Sequence, residues 1–334
     1  MFGNRLGWAL ATVVLLLEGG LLYLVWKANQ PSPPTAWGQK AATFTLQINP
    51  DPRSVASFMV DDSDAAELYR QALEDFHLNQ PKYEAFLKNL GKYIKTDKNP
   101  SPLPAPTLEG VGLIIKARTA RRGAIFGDGY AQLIKYDFRV NPVEDLRVLG
   151  NAALFVGNVH RDAGRADEAK QHYEAAFALG VRLFEERMIF RQVDAGSDLM
   201  GSAGILLSRL ARAGGQNDRA KEIEEFERAR KEVFTPLQTR NSIRGAIINL
   251  EPVHSGDMIE LATRGGDRVW KVEAVLALGR AKFNARTGGD QRGAVRFLKK
   301  LAADAEDPVV RFAATVARDL DSVGYNQITV VENR

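Results

Sequence analysis

The sequence predicts an all-α chain: a single transmembrane helix followed by an irregular α-solenoid of helical hairpins. Three observations carry this reading. Residues 6–26 contain one acidic residue and no basic one. From about residue 61 to 322, apolar side chains recur at helical spacing between short glycine-marked turns. Strand-type alternation is confined to the two ends, with short strands expected at 43–48 (Phe44, Leu46, Ile48) and 327–331 (Ile328, Val330).

The run from Leu6 to Trp26 counts 21 residues. As a helix it would measure about 31 Å at ~1.5 Å per residue, enough to cross the hydrocarbon of a bilayer. Trp8, Tyr23 and Trp26 lie near its ends, where amphipathic rings favour the interface. The run is long for a signal peptide and lacks an Ala-x-Ala-like exit, so an uncleaved signal anchor is expected over residues 1–27. Gly7, Ala11, Val14, Glu18, Leu21 and Val25 recur at spacings of four and three and form one stripe. A carboxylate at mid-span costs about 2.5–3.5 kcal/mol, so it usually faces protein or water. The stripe is therefore a candidate contact with other membrane protein subunits. The plainer reading is that Glu18, followed by Gly19 and Gly20, is tolerated in an anchor. Arg5 on one side and Lys27 and Lys40 on the other nearly balance. The short N-terminal tail favours an N-terminus inside and a single-pass protein with a periplasmic or extracytoplasmic body.

Pro31, Pro33 and Pro34 make residues 28–40 a stiff spacer, within a Pro-rich and extended segment spanning 28–60. Asp64-Ala65-Ala66-Glu67 has the form of a capping box that starts a helix. The cluster Asp61, Asp62 and Asp64 lacks the loop spacing and glycine of a calcium site. A helical hairpin is expected over 61–95, with Leu68, Leu73 and Phe76 on its first helix and Pro81 opening the second. Prolines 100, 102, 104 and 106 separate it from a helical domain at 107–235, with helices near 142–162, 165–190, 195–213 and 216–234. A second helical domain follows at 236–322, with loops at Gly265-Gly266, Gly288-Gly289 and Asp304–Asp307. A tail closes the chain at 323–334.

Two stretches carry family resemblances. In residues 150–181, Gly157-Asn158 sits on a first helix, Gly164 makes a turn, and Ala169, Tyr173 and Ala176-Phe177 line a second helix. This pattern resembles the tetratricopeptide repeat. It departs from that pattern at Ala153, at His160 in place of tyrosine and at Val181 in place of proline. Farther on, Arg268–Gly279, Ala294–Leu301 and the capped start Asp307-Pro308 are similar to HEAT repeats of the short kind found in phycobilin-lyase-like proteins. The resemblances imply stacked helical hairpins, and neither carries catalytic residues. By the first, a concave groove would present Asn151, Leu154, Asn158 and Arg161 to a protein or peptide, with Asn158 and Arg161 as geometry-selective donors.

The chemistry-bearing patterns are sparse. The chain has no cysteine, which excludes disulfides, thiolate metal sites and a cysteine nucleophile. The histidines at 77, 160, 172 and 254 show no metal-ligand spacing, so no metal and no cofactor are expected. Gly127-Asp128-Gly129-Tyr130 reads as a turn, not a phosphate loop. Residues 264–300 hold ten Lys or Arg against three acids, whereas the whole chain is only +4. Arg264, Arg268, Lys271, Arg280, Lys282, Arg292, Arg296, Lys299 and Lys300 make a candidate basic patch for anionic lipid head groups. The leading expectation is a non-enzymatic scaffold or accessory subunit that mediates protein–protein interaction in a membrane-associated assembly. The alternatives are an enzyme with an unrecognised site in the loops 123–141 or 236–256, or a binder of anionic lipid or nucleic acid through residues 264–300.

Overall fold

Apolar periodicity and capping residues turn most of this chain into helix. The structure, a computed structural model, describes residues 18–83, 85, 108–127, 133–134, 141–238, 254–284 and 287–322. The helices include α1 (18–28), α2 (Ala36–Ala42), α3 (Pro52–Val55), α4 (Ala66–Leu78), α5 (Glu109–Ala117), α6 (Pro142–Asp162), α7 (Ala166–Glu186), α8 (Phe190–Ala213), α9 (Asn217–Gln238), α10 (Ser255–Arg264), α11 (Arg268–Asn284), α12 (Gly288–Asp304) and α13 (Pro308–Asp319), and residues 80–83 are helical as well. Two short strands, β1 (Asp61–Asp64) and β2 (Ala120–Arg122), pair in parallel with an irregularity between Asp61 and Asp64. The all-α class expected from the sequence is what the described residues show.

These residues fall into two compact units. One joins the chain up to Phe44 with the C-terminal helices, and the other runs from Thr45 to α9. The serial division expected from the sequence differs from this, because residues 28–44 pack with α10 and α12 and not as a free spacer. In the second unit each of α6 to α9 packs on the next. The tightest crossing is between α7 and α8. A Cβ on Gly180 would lie 2.9 Å from the Gly196 carbonyl oxygen, and one on Gly196 would lie 2.8 Å from the Gly180 carbonyl oxygen. Both obstacles are backbone, so neither can swing aside. The same unit buries Tyr69, Tyr173, Phe177 and Phe226. Phe177 meets Phe226 at 5.6 Å and Phe58 at 6.3 Å between ring centroids.

Several expectations are corrected in detail. Residues 43–48 form no strand. Leu46 and Ile48 are buried while their neighbours are exposed, so the alternation encodes burial but finds no hydrogen-bonding partner strand. The strand that does form, β1, is the exposed acidic stretch Asp-Asp-Ser-Asp. It pairs through its backbone, and Arg122 donates to the Asp62 carbonyl oxygen from Nε at 3.1 Å. Asp64 therefore ends a strand, although its carboxylate still accepts from the Ala66 amide at 2.8 Å, near the start of α4. Gly288-Gly289 is not a loop but the first turn of α12, capped by Thr287. The expected strand at 327–331 lies outside the described residues.

Among the described residues no helix is long and apolar enough to cross a membrane. Most of the apolar run, residues 6–17, lies outside them, together with Gly7, Ala11 and Val14 of the stripe. Its described end, α1, leaves the side chains from Leu21 to Trp26 exposed, at 52–68%.

The close crossing makes a stability contrast. Gly196→Ala is expected to lower stability by about 1–3 kcal/mol through overpacking against backbone. Gly112→Ala, on α5 with open space around it, should instead gain up to about 1 kcal/mol of helix propensity. Chemical denaturation of both variants checks this, and equal effects would contradict the packing argument.

Candidate functional site

The most constructed feature of the surface is the junction where α1 meets the C-terminal helices. Proline at 31, 33 and 34 leaves this stretch few backbone donors, and no regular helix can use those that remain. The amide of Ser32 donates to Asp290 Oδ1 at 2.9 Å, and its hydroxyl donates to Oδ2 at 3.1 Å. Ser255 donates to Asp290 Oδ1 at 2.6 Å and Thr287 to Oδ2 at 3.1 Å. Asp290 is wholly buried. Burial alone would raise its pKa, but the hydrogen bonds from Ser255, Ser32 and Thr287 outweigh burial and hold the carboxyl below its ordinary value. Three residues on, Asp257 accepts from the Thr35 amide at 2.6 Å and from its hydroxyl at 3.0 Å. Thr35 in turn caps α2 by accepting from the Gly38 amide at 3.3 Å. Both carboxylates sit in the first turns of α10 and α12, where the helix dipole favours negative charge.

Glycine makes room for this contact. A Cβ on Gly289 would lie 2.7 Å from the Ala28 carbonyl oxygen, and one on Gly293 would lie 2.6 Å from Pro31 Cβ. Phe44 closes the other end of the segment, meeting the buried Trp270 edge-on at 5.9 Å. The C-terminal end of α1 is held by cations. Arg292 donates to the Ala28 carbonyl oxygen at 3.3 Å and Arg296 to that of Asn29 at 2.6 Å. Unsatisfied carbonyls at a helix C-terminus carry partial negative charge, which these guanidinium groups complement.

The basic residues singled out in the sequence do not form one patch. Arg280 is buried. Lys282 donates to the Arg318 and Leu320 carbonyl oxygens at 2.6 and 2.8 Å, and burial lowers its pKa. Arg264 pairs with Glu260 at 3.0 Å and Arg268 with Asp307 at 2.8 Å. Lys271 is half-buried, whereas Arg292, Arg296, Lys299 and Lys300 all stand exposed on α12. Of the stripe on the apolar run, Glu18, Leu21 and Val25 are exposed on α1.

Three of the four residues read as a groove are buried or engaged within their own hairpin. Leu154 is buried. Asn158 accepts from the Tyr173 hydroxyl at 2.8 Å, and Arg161 Nη2 donates to Asp162 at 2.8 Å. Asn151 is half-buried. His160 and His172 lie with ring centroids 4.9 Å apart. Burial lowers both pKa values, and Arg165 Nε donates to His160 Nδ1 at 2.9 Å. Among the described residues no three His, Asp or Glu side chains gather as a metal site.

Two features escaped the sequence. A cleft of about 720 Å³ opens between α7 and the α8–α9 turn, lined by Phe58, Lys170, Glu174, Leu207, Arg219 and Ile223. Glu174 is buried there, which raises its pKa against the pull of Lys170 at 3.9 Å and Arg118 at 3.6 Å. The loop after β2 is also tied down. The amides of Phe126 and Gly127 both donate to Glu186 Oε1 at 2.9 Å, so donors that could serve an external anion are taken by the chain's own carboxylate.

Comparison with protein-family models, with curated proteins and with solved structures finds no match to this chain.

The junction makes two measurable claims. Asp290→Ala leaves several donors without an acceptor and should cost about 3 kcal/mol, with faster tryptic cleavage at the exposed Lys40. An unchanged cleavage rate would show that Asp290 does not hold the segment. Because the native carboxyl is depressed, its stabilisation is complete above the ordinary carboxylate value of about 3.9 and disappears as pH falls through the lower native value. Asp290→Asn should therefore flatten the acid limb of a stability-versus-pH curve, and an unchanged limb would contradict the assignment.

Proposed function

We propose that this chain is a single-pass membrane protein whose helical-repeat body is a scaffold or accessory subunit in a membrane-associated assembly. One observation supports this above the others. A continuous row of large apolar side chains on α1 is left in the open, yet its base is fastened to the C-terminal helices by buried carboxylates. Surfaces of this kind mark contact with lipid or with another protein. The apolar sequence running back from α1 to Leu6 provides the length that α1 by itself lacks.

In this reading the stripe Gly7, Ala11, Val14, Glu18, Leu21 and Val25 meets a helix of another membrane subunit. Glu18 finds its polar partner there, and the small residues allow close approach. The hairpin of α6 and α7 is treated as a tetratricopeptide-like unit, and α11 to α13 as HEAT-like units. Stacked units of this type generally recognise protein or peptide along an extended face. The cleft beside Lys170, Glu174 and Arg219 suits such a ligand better than Asn158 and Arg161, whose polar groups are already engaged. No reaction chemistry is assigned.

The test is co-purification from native membranes after mild crosslinking. Glu18→Leu combined with Gly7→Leu should reduce recovery of partner membrane subunits severalfold while the helical body keeps its circular dichroism and melting temperature. Recovery of the same partners in the same amounts would remove the stripe from the proposal.

A further inference from the structure

We infer that the exposed cations of α12 form a contact site for anionic phospholipid head groups at the foot of the anchor. This rests on the membrane reading above and adds to it a specific surface and ligand class. Arg292 and Arg296 touch the carbonyl oxygens of Ala28 and Asn29, the last residues of the apolar helix and the turn beyond it. If Trp26 and Tyr23, which stack at 6.0 Å, occupy the interface as such rings prefer, then Arg292 and Arg296 lie at head-group level. Lys299 and Lys300 follow on the same helix. Arg292 to Lys300 spans about 12 Å at ~1.5 Å per residue, against a Debye length of about 8 Å in physiological salt. Lys299 and Lys300 come within that distance of the lipid surface when α12 lies along the bilayer, the orientation this inference requires.

The charge on this helix is one-sided. Its exposed charged side chains are Arg292, Arg296, Lys299 and Lys300, with Asp304 alone at the far end. Asp290 is buried and committed to the junction. The division of labour is physical: the two arginines spend part of their donor capacity on the α1 carbonyls, while the two lysines extend past the junction. A lysine near an anionic leaflet strengthens attraction about fivefold, so the pair should contribute about 25-fold selectivity for anionic over zwitterionic lipid. Four cations gathered beside a membrane helix fit phosphodiester head groups by charge and need no shaped pocket.

The chain has no cysteine, so Ala303→Cys on the exposed end of α12 takes a single fluorophore. The full-length labelled protein is reconstituted into phosphatidylcholine nanodiscs containing 30% phosphatidylglycerol. Quenching by spin-labelled phosphatidylglycerol is compared with quenching by spin-labelled phosphatidylcholine. The expected result is severalfold stronger quenching by the anionic probe. It should fall toward equality in 500 mM NaCl and in the Lys299→Gln/Lys300→Gln variant, which leaves the junction intact. Equal quenching by both probes overturns the inference, and so does an anionic preference that the double substitution leaves undiminished. Disc-bound protein quenched by neither probe also overturns it and leaves these cations to an acidic protein partner. Protein that never enters the discs defeats the membrane reading itself, and the lipid site falls with it.

Discussion

The buried carboxylate of Asp290 is the interaction on which the organisation of this chain depends. It collects donors from Ser32, Ser255 and Thr287 and so joins three segments distant in sequence: the proline-rich stretch after α1, the start of α10 and the start of α12. A buried charge is costly unless its hydrogen-bonding capacity is filled. Here the donors are the Ser32 amide and the hydroxyls of Ser32, Ser255 and Thr287. The prolines around Ser32 prevent a helix that would otherwise use its amide, and the first turns of two helices add favourable dipoles. The carboxylate needs the segment as much as the segment needs the carboxylate. Asp257 repeats the arrangement with Thr35 a few residues along.

A proline-rich stretch between a helix and a folded body ordinarily acts as a semi-rigid spacer. Bound along its length, it becomes part of the body instead, and α1 projects from a fixed base. The arginines of α12 reinforce that base by occupying the carbonyls at the end of α1. The unit from Thr45 to α9 follows a different logic. Its interior rests on close helix packing through Gly180 and Gly196 and on charged side chains whose partners are backbone groups some 60 positions away. Arg182 donates to the Gly123 carbonyl oxygen at 3.2 Å and lies 5.7 Å from the centre of the Tyr69 ring, while Glu186 holds the neighbouring loop.

The helices were legible because their signals are local. Asp307-Pro308 opens α13 as its residues require: the aspartate accepts from the Val309 amide at 2.9 Å and proline fills the first turn. Gly164 and Gly215 turn the chain with positive φ angles of 75° each. The junction was hidden because Ser32 and Asp290 are 258 positions apart, and no period links them. Its one trace in the sequence is the run of small residues at Gly288, Gly289 and Gly293, which resembles a loop signal but marks backbone approach. β1 escaped notice because Asp-Asp-Ser-Asp has no strand propensity, and its pairing with β2 depends on backbone partners in a distant segment, such as the Thr119 carbonyl oxygen that accepts from the Asp61 amide. The basic region misled in another way. Counting charges does not reveal that Arg280 is buried or that Lys282 caps the end of α13.

Amide hydrogen exchange at Ser32 and Thr35 examines the junction most directly. Both amides lie in an extended, proline-flanked stretch where no helix or sheet could protect them, so slow exchange can arise only from Asp290 and Asp257. Protection approaching that of the first turn of α12, lost at Ser32 on Asp290→Ala, is the expected result. Exchange at the rate of an unstructured peptide in the intact chain would mean that the segment swings free and that α1 is not fastened to the C-terminal helices.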